Sequence, residues 1–68
     1  MSLVKRSLSI KGHSTSVSLE SAFWEALHLQ ARQRTMSIAA LVAEIDGARE
    51  DSNLSSAIRV WLLERAKI

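Results

Sequence analysis

Ser14-Thr15-Ser16-Val17-Ser18-Leu19-Glu20 alternates small polar residues with larger, mostly aliphatic ones, and the alternation stops at Glu20. A period of two belongs to a half-buried strand, with Thr15, Val17 and Leu19 on one face and Ser14, Ser16 and Ser18 on the other. Upstream, Leu8 and Ile10 alternate with Ser7 and Ser9, and Lys11-Gly12-His13 separates the two runs. Gly12 supplies the positive-φ position that a short hairpin loop needs, so the segment reads as two short strands or one bent strand.

From Glu20 the period lengthens. Phe23, Leu27 and Ala31 recur every four residues with Trp24 beside them, which predicts a first helix over roughly residues 20–34. Glu20 stands at its start, where the positive end of the helix dipole favours an acid. Ser37 is a good N-cap, and Ile38, Leu41, Val42 and Ile45 form a single-face stripe, so a second helix is expected to run to Gly47 or Ala48. The polar stretch from Glu50 to Asn53 interrupts the pattern. A third helix then carries Leu54, Ile58, Trp61 and Arg65 on one face and Val60 and Leu63 on the other. A helix apolar on two sides calls for two neighbours, and in so short a chain the second is expected to be another chain.

The chain has 68 residues, nine Lys or Arg against seven Asp or Glu, and no Cys or Pro. A core this small, without disulfides or a thiolate metal site, is expected to need a second chain. The longest apolar run is Ile38 to Ala43, too short to cross a bilayer, and the basic N-terminus lacks the apolar stretch of a signal peptide, so a cytoplasmic protein is expected. Without secretion, the sequon Asn53-Leu54-Ser55 carries no meaning. Charge is uneven: residues 1–13 hold Lys5, Arg6 and Lys11 with no acid, while Glu44, Asp46, Glu50 and Asp51 face only Arg49 in residues 35–52. A basic arm on an acidic middle is compatible with a nucleic-acid partner and equally with a solvated terminus.

Thr15-Ser16-Val17-Ser18-Leu19-Glu20, the helix containing Phe23-Trp24-Glu25-Ala26-Leu27, and Met36-Ser37-Ile38 opening the next helix resemble the ribbon-helix-helix family of bacterial repressors. The entrance Arg6-Ser7, Ile10, Gly12-His13 and Thr15 to Glu20, followed by Phe23-Trp24 and a late Asn53-Leu54-Ser55-Ser56-Ala57, is similar to a particular bacterial subgroup of that family. The resemblance spans about residues 6–65. It implies a mainly α protein with a short N-terminal β element, a ribbon-helix-helix with an additional C-terminal helix, formed as an intertwined homodimer through strand pairing. Residues 1–13 would be a basic N-terminal arm or an extra β-strand, and residues 14–68 the ribbon-helix-helix domain with its third helix.

The resemblance further implies that the paired ribbon enters the major groove of double-stranded DNA. The base-reading positions are then Ser14, Ser16 and Ser18, which is a departure, because a serine makes one short hydrogen bond to almost any base where Arg or Asn grips a base edge with two. The phosphate anchor falls on Ser37 with the N–H groups of Ile38 and Ala39. Lys5, Arg6 and Lys11 would add phosphate contacts. The family often has Gly in the turn before this anchor, where this chain has Thr35.

No catalytic, cofactor or metal site is expected. His13 and His28 have no carboxylate at a fitting spacing, the serines lack a His-Asp arrangement, and Trp24 and Trp61 lie at helical spacing within apolar stripes, as core residues do. The expectation is a DNA-binding transcriptional regulator. The alternative is a dimerisation or protein-interaction module, antitoxin-like, that engages a partner protein at Val60 and Leu63.

Overall fold

The computed structural model describes residues 2–49 and 53–66, in the order β1 (Leu3–Ile10), β2 (His13–Glu20), α1 (Ser21–Gln33), α2 (Ile38–Ala48) and α3 (Leu54–Ala66). Of the polar break before α3, residues 50–52 lie outside the described residues. Asn53 is described and starts the helix: its Oδ1 accepts from the Ser56 N–H at 2.8 Å and its carbonyl from the Ala57 N–H at 2.9 Å.

The two strands form one antiparallel hairpin, in register from Leu3 opposite Glu20 to Ile10 opposite His13. Only Lys11 and Gly12 connect them, with φ of 53° and 80°. Positive φ at both central positions is what a type I′ turn requires, and its twist matches that of the flanking strands. Gly12 takes this conformation at no steric cost, whereas Lys11 takes it against the preference of any residue with a Cβ.

Opposite residues of an antiparallel pair share a face. Val4, Arg6, Leu8 and Ile10 therefore face the helices together with Leu19, Val17, Thr15 and His13, and Lys5, Ser7 and Ser9 face outward with Ser18, Ser16 and Ser14. β1 starts five residues before the alternation at Leu8 becomes visible, because Arg6 occupies an inward position. It is tolerated at the sheet's edge, where its guanidinium stacks 5.4 Å from the ring centroid of Trp24. The Trp24 indole N–H donates to the Val4 carbonyl at 2.8 Å, tying α1 to the outer strand.

The helices pack beneath the sheet, α2 against β1, and α1 and α3 against β2. Their stripes enclose Ile10, Val17, Leu19, Trp24, Leu27, Ala31, Leu41, Val42, Ile45, Ile58 and Leu62. Leu19, Leu27, Leu41 and Ile58 are wholly buried. One expectation is corrected here. β2 finds its hydrogen-bonding partner in β1 of the same chain, so no second chain is needed to pair it. Within the one chain described, α3 covers a further side of β2 and α1, and Val60 and Leu63 stay exposed on its outer side.

The helix boundaries follow local chemistry. Glu20 is the N-cap of α1 and its side chain caps no backbone N–H. Its carboxylate instead accepts from Arg59 Nε of α3 at 3.0 Å. α1 ends in paired bonds from Thr35 N–H to the Arg32 carbonyl and from Met36 N–H to the Ala31 carbonyl, at 3.1 and 2.9 Å, a Schellman closure with Thr35 in the left-handed position at φ 55°. The turn is thus built as a glycine would build it, with threonine carrying the strain.

Candidate functional site

The outward face of the hairpin is nearly uniform. Ser7 and Ser9 of β1 lie opposite Ser16 and Ser14 of β2, and Lys5 lies opposite Ser18. Leu3 and Glu20 close the far end of that face, and the Glu20 carboxylate is engaged by Arg59. Glu20 is held below its ordinary value of 4.5, first by hydrogen bonding to its own backbone and then by the Arg59 guanidinium. The face therefore offers a row of hydroxyls and one exposed ammonium, with no aromatic ring and no unpaired acid among the described residues.

The seven residues singled out in the sequence fall in four places. Lys5, Ser14, Ser16 and Ser18 share the outward face. Arg6 lies on the opposite face over Trp24. Lys11, in the turn, folds back over α2, its Nζ 3.7 Å from where a Cβ on Gly47 would stand, close to the carbonyl-rich end of that helix. Ser37 caps α2 at the far end of α1, its Oγ accepting from the Ala40 N–H at 3.0 Å. The N–H groups of Ile38 and Ala39, as in any first turn, have no intrahelical acceptor and are free to meet an anion.

Ser7 and Ser9 belong to the face although sequence reading assigned them no role. The signal was present, since they alternate with Leu8 and Ile10, but their place beside Ser14 and Ser16 depends on a turn of two residues and no other length. A second feature was only partly legible: Trp61 and Arg65 share a face of α3 by spacing and lie 4.5 Å apart from ring centroid to guanidinium, whereas the Arg34 guanidinium, 5.0 Å from the same ring, comes from the end of α1 and had no sequence signal.

On the flank of the helices, α1 and α3 leave an apolar groove lined by Ala22, Phe23, Ala26, Val60, Leu63 and Ala66. Val60 and Leu63 are 51% and 60% exposed, large values for aliphatic side chains in contiguous array. The edge of β2 away from β1 has no strand beside it among the described residues. No helix of the described residues is long and apolar enough to cross a membrane.

No curated protein and no solved structure matches the chain. The ribbon-helix-helix domain family matches it over residues 3–66, so the match includes β1 and α3 as well as the strand and two helices between them. With that coverage and this order of elements, the chain belongs to the ribbon-helix-helix family.

Proposed function

We propose that this protein is a homodimeric, DNA-binding transcriptional regulator of the bacterial cytoplasm, and not an enzyme. Ribbon-helix-helix domains generally dimerise and bind DNA, and the Gly12-His13 entrance before Thr15 to Glu20 fits a bacterial subgroup of them. The observation that carries the proposal is the outward hairpin face, which sets Lys5 and a row of serine hydroxyls on one side of a ribbon-helix-helix fold. Ser14, Ser16 and Ser18 face the major-groove side of duplex DNA. Ser37 and the N–H groups of Ile38 and Ala39 hold a phosphate through the start of α2. Lys11 and Arg6 act elsewhere, at the end of α2 and on Trp24.

The dimer joins two chains that are each already folded. The open edge of β2 pairs with the same edge of a second copy, and the groove containing Val60 and Leu63 packs against that copy's helices. Its support is the exposed apolar surface on α1 and α3, the two helices that pack against β2. The same groove favours a second reading, in which it receives a different protein and the fold serves association alone.

Sedimentation and fluorescence anisotropy decide between them. The first reading expects a particle near twice 7.5 kDa that binds random duplex DNA at low salt, and expects Val60→Glu with Leu63→Glu to give a folded monomer with weakened binding. A wild-type chain that stays monomeric, or a dimer that ignores duplex DNA at 50 mM salt, would overturn it.

A further inference from the structure

We propose that the dimer rides across the major groove without entering it, holding the phosphate ridges through β1 and reading no base edges. This rests on the DNA-binding reading above and refines it. Each β2 already carries β1 on one edge along its whole length, so joining two hairpins through the other edge gives four strands in the order β1-β2-β2-β1. Three strand spacings of about 4.8 Å put the outer strands roughly 14 Å apart before any side chain is counted. The major groove is about 12 Å wide and about 8.5 Å deep, and it admits two strands. A four-stranded sheet meets the groove walls first.

The chemistry of the face agrees with that position. The residues brought over the groove centre are Ser14, Ser16 and Ser18, whose hydroxyls end one carbon from the backbone and cannot cross the depth of the groove. The residues brought to the walls are Lys5, Ser7 and Ser9, a cation and two hydroxyls, which are phosphate-binding groups. A face built to read bases from this height would need Arg, Lys, Asn or Gln on β2, and it has none. The one cationic side chain on the face, Lys5, stands on β1, and the Glu20 carboxylate at the far end of β2 is engaged by Arg59. Lys11 and Arg6 contribute no charge to the ridges, because one lies over Gly47 and the other on Trp24 beneath the sheet. The occupant is therefore the backbone of duplex DNA, recognised by groove width and charge.

Two footprints on one guanine-rich duplex test this with the full chain. Hydroxyl-radical cleavage reports cover of the backbone, and dimethyl sulfate reports access to guanine N7 in the groove. The proposal expects backbone protection on both sides of the groove with N7 still methylated. It also expects Lys5→Gln to make the log-log salt slope less negative by about 1.8 for a dimer, at about 0.9 per phosphate, so that the affinity loss between 50 and 200 mM salt shrinks about 12-fold. Lys11→Gln and Arg6→Gln leave the slope unchanged. Protection of N7, or a slope indifferent to Lys5→Gln, overturns the riding position while DNA binding stands. Wild-type protein that protects neither backbone nor N7 overturns the DNA-binding reading itself.

Discussion

Replacing Thr35 by glycine should stabilise the protein. Thr35 holds φ 55° at the closure of α1, it is exposed, and the bonds that define the closure come from its backbone N–H and that of Met36. Nothing that glycine lacks is used there. A side chain in the left-handed region costs roughly 1–2 kcal/mol, and β-branching places threonine toward the upper end. Glycine removes that cost and adds about 0.4–1 kcal/mol of unfolded-chain entropy. The net gain is about 0.5–1 kcal/mol. With an m-value of about 1 kcal/mol/M for so small a domain, the urea midpoint followed by far-UV circular dichroism should rise by about 0.5–1 M with m unchanged. In a thermal melt the same gain is worth about 2–8 °C. Thr35→Ala, which keeps a Cβ, should recover much less. A midpoint that falls in Thr35→Gly, or that rises equally in Thr35→Ala, would refute the assignment of strain to the backbone at this corner.

Three further outcomes can be measured the same way. Gly12→Ala should cost about 1–2 kcal/mol; no atom lies within 4 Å of the added Cβ, so the loss is one of backbone conformation alone and a neutral result would contradict the type I′ turn. Val17→Asp should unfold the whole chain, because Val17 is 1% exposed in the core and an unpaired carboxylate there costs several kcal/mol; a folded monomer would contradict its place in the core. Glu20 is held below 4.5 in the folded state, first by hydrogen bonding to its own backbone and then by Arg59, so the stabilisation from these contacts is complete above that value and is lost as pH falls through the lower, folded-state value. Urea midpoints taken from pH 6 downward should therefore fall more steeply in the wild type than in Glu20→Gln, and parallel declines would argue against an ionised Glu20 held by these contacts.

The periodic parts of the chain announced themselves. Val17 and Leu19, Leu27 and Ala31, Leu41, Val42 and Ile45, and Ile58 were all legible as inward residues, because period two and period 3.6 leave different marks and each stripe faces one core. β1 was legible only in its second half, since Arg6 interrupts the alternation and its tolerance depends on Trp24, eighteen residues away. β2 reads as solitary for a related reason, since the strand that pairs with it is only half legible. Ser14, Ser16 and Ser18 could be assigned to one face from spacing, but the grouping of basic residues could not. Lys5, Arg6 and Lys11 are close in sequence and are sent to three surfaces by strand alternation and by the turn.

The two-residue turn between β1 and β2 also bears on how the protein comes into being. Pairing in the hairpin begins between Ile10 and His13 and zips outward to Leu3 and Glu20, so every ladder contact closes a short stretch of chain. Hairpins of this kind form in about 1–10 μs. Synthesis delivers residues at roughly 5–20 per second, so the sheet can assemble as soon as Glu20 has left the ribosome, before α1 and the later helices have followed it out. A ribbon whose only partner strand came from another polypeptide would wait for a collision, and its edges would be open to wrong ones meanwhile. In this chain one edge of β2 is occupied from the outset, and the rate at which the sheet forms is independent of protein concentration.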